Sequence, residues 1–249
     1  MPGLRREELA ARAGISAVYY ARLEQGTSRN ASPEVLVALS RALGLAGDEH
    51  RHLLDLATSV RDHDATSNAH EQLAPAIEQL LPALGDTPAL VLDGALDVLA
   101  WNRAGHALTA QHLDILSVDI PQQRPNSAIN AFLDPCTVAL YPDWPRKARA
   151  VVGHLRMVAG RSPRIPRVAA VIAELCAESA VFAQLWDDHT VGTCAGDSYV
   201  IDHPVVGPLV VHQQTLAVLG TDQQLLVTYT PADAASASGF ARLTADARR

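Results

Sequence analysis

The chain has 249 residues, of which 48% are hydrophobic and 19% are charged, and this composition is typical of folded domains rather than of a disordered chain. No apolar run is as long as a membrane span and the first residues lack a signal-peptide pattern, so the sequence predicts a cytoplasmic protein without membrane contact. Its length is sufficient for one small and one medium domain.

The formal net charge of −7 comes from the C-terminal part of the chain. Residues 1–57 contain seven arginines and seven acidic residues, whereas residues 58–249 contain 13 basic and 20 acidic residues. Residues 1–30 contain five arginines and three glutamates, which is a mild positive bias. The charge is therefore compatible with a DNA-binding N-terminal segment whose nonspecific affinity is modest and depends on salt.

The beginning of the chain has the pattern of two short helices joined by a tight turn. The first helix is predicted over residues 5–13 and ends at Gly14, which accepts the left-handed cap conformation without strain. Ser16 is a natural N-cap for a second helix that runs to residue 25, with Gly26 after it. This is the pattern of a helix-turn-helix, in which the second helix enters the major groove of DNA.

A recognition helix contacts bases with residues near its N-terminal end. Four residues of the second helix are predicted to face the bases, and three arginines are predicted to meet phosphates, because side-chain charge and helix N-termini both attract phosphate. The base-facing residues are Ser16, Ala17, Val18 and Tyr19, and the arginines are Arg5, Arg6 and Arg22.

Two more helices are predicted to complete this domain. Ser32 and Pro33 begin the third helix, Gly44 follows it, and the fourth helix spans residues 48–58. Small and apolar residues follow one another from Ala10 onward, and Leu23-Glu24-Gln25-Gly26 ends the pattern. This order resembles the Xre or phage-repressor type of helix-turn-helix.

That resemblance implies a further helix before Arg5, which the sequence does not show. It also implies that Glu24 meets a basic partner on that helix. Either the start of the chain is misassigned or the DNA-binding domain is incomplete, and the sequence leaves both explanations open.

The remainder of the chain is predicted to be an α+β domain behind a polar linker at residues 59–72. A helix from residue 73 precedes two strands, helices broken by prolines follow, and three strands come last. Asp93-Gly94 is predicted to form the hairpin turn between the first two strands. The five strands are predicted at residues 89–92, 98–101, 199–201, 209–212 and 225–229, and the Ala-, Ser- and Arg-rich residues 232–249 are predicted to be disordered.

Four phrases occur in order along this second part. They are Thr87-Pro88-Ala89-Leu90-Val91, Val98-Leu99-Ala100-Trp101-Asn102, Leu140-Tyr141-Pro142-Asp143-Trp144 and His203-Pro204-Val205-Val206-Gly207. With the helix-turn-helix before them, their order resembles the MmyB-like family of transcriptional regulators. The resemblance implies a PAS-like five-stranded antiparallel sheet with packed helices over residues 73–231, which holds a small apolar, fatty-acid-like ligand and catalyses no reaction. The segment 122–131 departs from the family pattern.

Residues of these phrases and their neighbours are candidates for the ligand pocket, because small-molecule sites combine apolar lining with a few polar groups. Each polar or aromatic candidate also has a structural interpretation. Trp101 and Trp144 are alternatively core residues. Asn102 is alternatively a helix cap, and His203 a residue that hydrogen-bonds within its own turn. The candidates are Leu99, Trp101, Asn102, Phe132, Tyr141, Trp144, Leu155, His203 and Tyr229.

The sequence predicts no catalytic set, metal site or cofactor. Cys136, Cys176 and Cys194 lie far apart and their odd number favours free thiols, while His50 and His52 lack the further ligands of a metal centre. No glycine-rich phosphate loop and no nucleophile elbow occur.

The main hypothesis is a homodimeric, sequence-specific DNA-binding regulator whose residues 1–58 bind double-stranded DNA and whose ligand changes the separation of two recognition helices. The alternative is a ligand- or protein-interaction module that does not bind DNA because the helix-turn-helix is truncated. A small-molecule enzyme on a PAS-like fold is the third hypothesis.

Overall fold

The computed structural model describes residues 5–28, 31–45, 47, 49–50, 52–54, 71–161, 165–188, 196–221 and 223–247. The chain divides into two compact units. The first comprises Met1–Ser67 with Arg156–Ile165, and the second, named here the sheet unit, comprises Asn68–Leu155 with Pro166–Arg249. Most of the predicted linker at residues 59–72 lies outside the described residues, so its boundaries stay a prediction.

The first unit contains the predicted helices. Helix α1 is Arg6–Arg12, α2 is Ala17–Glu24 and α3 is Pro33–Leu43. Residues 49–50 and 52–54 are also helical, and the rest of the predicted fourth helix lies outside the described residues. The small core of these helices includes Leu9 and Ala10 on α1 and Leu39 on α3, all buried.

The turn between α1 and α2 has the capping chemistry that the sequence predicts. Gly14 adopts a φ of 68°, which favours glycine, and the amide of Tyr19 donates to the hydroxyl of Ser16 at 3.1 Å. Gly26 also has a φ of 68° beyond the end of α2. These local signals set where α2 begins and ends.

We expect Ser16→Ala to destabilise α2 by about 1 kcal/mol, because the Tyr19 amide loses its acceptor. The check is hydrogen exchange of the α2 amides, which should become faster. The matched control is Ser16→Asp, which keeps an acceptor oxygen at the N-cap and adds a charge that the helix dipole favours. Equal exchange rates in the two variants would contradict the assignment of this cap.

The sheet unit begins with helix α4 (Pro75–Ala83) and contains a five-stranded antiparallel sheet. The spatial order of the strands is β2-β1-β5-β4-β3. Their bounds are Ala89–Leu92 for β1, Val98–Trp101 for β2, Gly196–His203 for β3, Gly207–Ala217 for β4 and Leu225–Pro231 for β5. The predicted strands are all present, and the last three extend beyond the predicted residues.

The described residues between β2 and β3 include six α-helices, and the predicted α+β class is confirmed. They are α5 (Arg103–Thr109), α6 (Ser127–Leu133), α7 (Pro135–Ala139), α8 (Trp144–Arg161), α9 (Pro166–Glu178) and α10 (Ala180–Asp187), with short 3₁₀ helices at Ile115–Asp119 and Pro121–Gln123.

Among the described helices, no single one has the length and hydropathy to cross a membrane, although α9 and α10, bent by 118°, satisfy both criteria as a pair.

The β1–β2 hairpin carries a buried polar cluster that connects it to helices distant in sequence. Arg167 at the start of α9 donates to both carboxylate oxygens of Asp97, each at 2.6 Å. The Asn126 side-chain amide donates to Asp97 Oδ1 at 2.8 Å, while Asn126 Oδ1 caps α6. The Asp93 carboxylate accepts from the amides of Ala95 and Asp97, each at 2.9 Å. The cluster therefore joins the hairpin loop to α6 and α9.

The prediction that the C-terminal tail is disordered is wrong. Residues Ala234–Ala247 form helix α11, which contacts α5, β4 and β5. Phe240 and Leu243 are buried, and the hydroxyl of Ser236 accepts from the amide of Val210 at 2.9 Å. The small residues that resembled a disordered composition allow this helix to lie close to the sheet.

Candidate DNA-binding surface and ligand cavity

The outer face of α2 is open to solvent, as a surface that reads DNA must be. No residue of α2 is buried, and Val18 has 65% of its surface exposed. Ser16, Ala17 and Arg22 are also exposed, and Tyr19 is half-buried. The predicted base-facing residues and Arg22 therefore lie on one short capped helix.

Glu24 has its basic partner within the described helices, on α1. The Nε of Arg6 donates to Glu24 Oε2 at 2.6 Å. The pKa of Glu24 is lowered by a hydrogen bond from Tyr20 and by Arg6, and the pKa of Tyr20 is raised by its burial and by Glu24. Among the described residues, the basic partner of Glu24 is therefore Arg6. This pairing engages the Nε of a residue that the sequence analysis assigned to phosphate, whereas Arg5 is exposed.

The sheet unit contains a partly open cavity of about 70 Å³. Its apolar wall comes from alternate residues of the sheet, since Leu90, Leu92 and Val98 face it from the β1–β2 hairpin and Val227 from β5. Ala89 and Val91, the intervening residues of β1, instead pack in the core with α4. The two-residue period of the strand therefore separates the cavity face from the α4 face.

Three of the nine predicted ligand residues line this cavity: Trp101, Tyr141 and Tyr229. Trp101 also donates its indole N–H to the carbonyl of Ile115 at 2.9 Å. The other six do not line it, and each has a structural role instead. They are Leu99, Asn102, Phe132, Trp144, Leu155 and His203.

Asn102 is a helix cap whose side chain is fully used. Its Oδ1 accepts from the amides of Gly105 at 2.7 Å and Ala89 at 3.0 Å. Its Nδ2 donates to the carbonyls of Thr87 at 2.8 Å and Gly85 at 3.3 Å. The residue ties the end of β2 to the start of β1 and of α5, which leaves no donor or acceptor for a ligand.

His203 bonds the backbone on both sides of its ring. Nε2 pairs with the carbonyl of Ala107 at 2.9 Å, and the amide of Val205 donates to Nδ1 at 3.3 Å. Burial lowers the pKa of His203, which favours the neutral ring that this bonding requires. The interpretation of His203 as a residue that bonds its own turn agrees with these contacts.

The remaining four residues pack against other side chains. Phe132 contacts Trp144 and Phe182 edge to face, with ring centres 5.5 and 5.1 Å apart. Trp144 donates its indole N–H to the carbonyl of Ala131 at 2.6 Å. Leu99 lies in the α4 core, and Leu155 is completely buried. Their apolar character predicted burial correctly but did not distinguish core from cavity.

Several polar residues of the cavity were not predicted from the sequence, among them Lys147 and Gln213. Lys147 is the only lysine of the chain, is 8% exposed, and places its Nζ 4.9 Å from the ring centre of Tyr141 and 5.2 Å from that of Tyr199. Gln213 is 4% exposed; its Nε2 donates to Thr215 Oγ1 at 3.3 Å, while its Oε1 is buried without a hydrogen-bond partner. The alternation of β4, with Leu209 and Val211 buried, was the available signal for Gln213.

The potential metal-ligand atoms of His112, Asp134 and Cys136 also lie within 4.8 Å of one another. The Asp134 carboxylate already caps α7 and pairs with His112 Nε2 at 2.7 Å. These hydrogen bonds satisfy the carboxylate without an ion. These residues come together only in the fold, because His112 lies in the turn after α5 whereas Asp134 and Cys136 lie at the start of α7.

The chain thus combines a capped helix-turn-helix with a sheet unit whose cavity has an apolar wall and some polar residues. Residues 73–243 match the model of the MmyB-like transcription regulator ligand binding domain, and residues 2–53 match that of a helix-turn-helix domain. The first match covers more than half of the chain, so the chain belongs to the MmyB-like family. Comparison with curated proteins gives no match.

The order of the two domains defines a DNA-binding transcription regulator that senses a ligand, and neither model describes an enzyme.

Proposed function

We propose that this chain is a cytoplasmic, homodimeric and non-enzymatic regulator that binds a specific DNA sequence through α2 and changes that binding when a small apolar, fatty-acid-like molecule occupies the sheet unit. The observation that carries the DNA-binding part is the solvent-exposed, capped face of α2. The cavity carries the sensing part. Each part has its own test.

The exposed face of α2 has the composition of a major-groove surface. Ser16 offers a hydroxyl that bonds many base edges, and Ala17 and Val18 offer methyl groups for thymine. Arg22 lies about one and a half turns further along and meets phosphate, which positions the helix without reading sequence. The pair of Arg6 and Glu24 joins α1 to α2 at 2.6 Å and thereby supports this face.

We expect Val18→Asp to weaken binding to the DNA upstream of the protein's own coding sequence by about tenfold or more, because the new carboxylate meets the negative potential of the groove. Arg22→Ala should weaken binding to specific and random DNA alike and lower the salt slope by about one. The measurement is fluorescence anisotropy on both DNAs across a salt series.

Arg12→Ala is the matched control for Arg22→Ala, because Arg12 is an exposed arginine on α1 outside the proposed surface. It should leave specific binding close to that of the parent. Equal affinity of the parent for specific and random DNA would reject the specific regulator and favour the ligand- or protein-interaction module.

The ligand proposed for the cavity presents an apolar body to the sheet. Leu90, Leu92, Val98 and Val227 supply the apolar contacts, and Trp101 adds an aromatic wall. Native mass spectrometry of the purified chain, before and after extraction with organic solvent, tests whether such a molecule is retained. A mass difference that disappears on extraction supports the proposal, and the absence of both a retained molecule and binding by added acids would reject it.

Dimerisation places two recognition helices on half-sites about one DNA turn apart, roughly 34 Å. A ligand changes DNA affinity only when it favours one spacing of these helices over another. Sedimentation with and without operator DNA measures the number of chains bound. One chain for each operator would reject the dimeric arrangement.

A further inference from the structure

The loop that joins β1 to β2 places a leucine where a hairpin of this kind ordinarily has glycine. The amide of Leu96 donates to the carbonyl of Asp93 at 3.0 Å, and the amide of Asp93 donates to the carbonyl of Asp97 at 3.1 Å. These bonds define a hairpin loop of Gly94, Ala95 and Leu96, a type whose last residue adopts a left-handed conformation. Leu96 has a φ of 67°, whereas Gly94 has no positive φ. A leucine is disfavoured at this φ because its Cβ crowds a backbone carbonyl.

Hydrogen bonds from another element hold this conformation in place. The carbonyl of Leu96 accepts from the amide of Ser127 at 2.8 Å, and the carbonyl of Ala95 accepts from Nδ2 of Asn126 at 2.8 Å. Both donors lie at the start of α6. The turn is therefore fixed from outside, and backbone strain that persists in this way is concentrated at functional sites.

The side chain of Leu96 forms part of the cavity wall. It is 6% exposed and lines the cavity together with Leu92, Val98 and Leu225. Leu92 pairs with Val98 across the hairpin and with Leu225 on β5, so these three residues lie side by side where the loop begins. Ser127, which bonds the Leu96 carbonyl, also lines the cavity from α6. The sheet side of the cavity is thus hydrocarbon at this end, and Leu96 lies at its limit.

A glycine at position 96 would satisfy the turn without strain, but it would leave this end of the cavity open. The burial of the leucine side chain offsets the cost of its backbone conformation, because removing a leucine side chain from water is strongly favourable. The identity of residue 96 therefore sets how far the cavity extends toward the loop.

We propose that Leu96 determines the specificity of the cavity by limiting the length of the hydrocarbon chain that it accepts. This inference rests on the proposed function, because it requires that the cavity holds a fatty-acid-like molecule. It adds to that function the residue that selects among such molecules by size. The part of the ligand that contacts Leu96 is hydrocarbon, like the neighbours of Leu96 on the sheet.

The test uses the full-length chain and straight-chain acids of even length from hexanoate to hexadecanoate, each kept below its micelle concentration. Binding to the parent and to Leu96→Gly is measured by calorimetry. Each further buried methylene strengthens binding about fourfold, so the affinity of the parent should rise with length up to one preferred acid and then fall.

In Leu96→Gly the space of the isobutyl group becomes available to the ligand. We expect the preferred acid to be longer by about two to four carbons, and that longer acid to bind about tenfold or more tightly than it binds the parent. Leu96→Phe is the opposite change and should make the preferred acid shorter. Leu219→Gly is the matched control, because Leu219 lies in the loop between β4 and β5 and is 94% exposed. It should keep the preferred length of the parent.

A loss of stability has a different signature, because a variant that is only destabilised weakens all acids alike and does not shift the preferred length. Without a ligand, Leu96→Gly should have the same Tm as Leu96→Ala or a higher one, since alanine keeps the strain of the left-handed φ and glycine does not. A lower Tm for Leu96→Gly than for Leu96→Ala would contradict the role given to this turn.

The inference is overturned if the parent and Leu96→Gly prefer acids of the same length, or if Leu219→Gly shifts the preferred length as much as Leu96→Gly does. In both cases the fatty-acid-like proposal stands, because the parent binds the acids. If no acid of any length binds the parent or the variants, both fail.

Discussion

Gly105→Ala is expected to destabilise the sheet unit by about 3 kcal/mol or more, although alanine ordinarily strengthens a helix. Gly105 lies in α5 against the backbone of β1, where an added Cβ would lie 2.8 Å from the carbonyl carbon of Ala89 and 2.9 Å from its nitrogen, and nearer still to its oxygen. The same stretch of β1 is held by Asn102, so the helix cannot retreat without breaking those hydrogen bonds. Denaturant unfolding monitored by tryptophan fluorescence measures the loss.

Gly239→Ala on α11 is the matched control. There the added Cβ meets the Cδ2 of Leu209, which is the end of a side chain rather than backbone. The gain in helix propensity and the cost of moving Leu209 are both about 1 kcal/mol, so the net effect should be small. A similar loss of stability in both variants would show that the β1–α5 approach is not the cause.

Asp93→Asn is expected to stabilise the chain above neutral pH and to flatten its dependence on pH. Burial, with a contribution from Asp97, raises the pKa of Asp93 from 3.8 to about 7. Since the folded state holds this proton more tightly than the unfolded state, stability is greatest at low pH and is lost as pH rises between the two values. At about 1.36 kcal/mol for each unit, the loss is about 4 kcal/mol by pH 8.

The asparagine side chain keeps an oxygen for the amides of Ala95 and Asp97 but carries no charge. Stability of the parent and the variant is compared by urea unfolding from pH 4 to pH 8, with the exposed Asp119→Asn as control. The difference between parent and Asp93→Asn should widen as pH rises, and parallel profiles would contradict the assignment of this proton to Asp93.

Local chemistry accounts for most of the elements that the sequence predicted correctly. Ser16, Gly14 and Gly26 mark the limits of α2 because capping and left-handed turns depend only on adjacent residues. The strands β1 and β2 have the predicted bounds, and Asp93 lies in the loop that joins them. The resemblance to the MmyB-like family was confirmed by the family match over residues 73–243.

Predictions about pairs of distant residues succeeded less often. Glu24 was expected to meet a basic residue on a helix before Arg5, but it meets Arg6, 18 positions away. Trp101 and Trp144 are both large, half-buried aromatic residues near a helix, yet only Trp101 lines the cavity. Side-chain type does not distinguish them, because the difference lies in which neighbouring element each ring faces.

By itself, the sequence determined the two-domain order, the helix-turn-helix and the five strands, because caps, turns and hydrophobic periodicity act over a few residues. Only the tertiary structure decided that Lys147 and Gln213 share a cavity and that the small residues of α11 form a helix. Both outcomes depend on burial against residues far away in the chain, and the free energy of that burial is set by packing rather than by any local pattern.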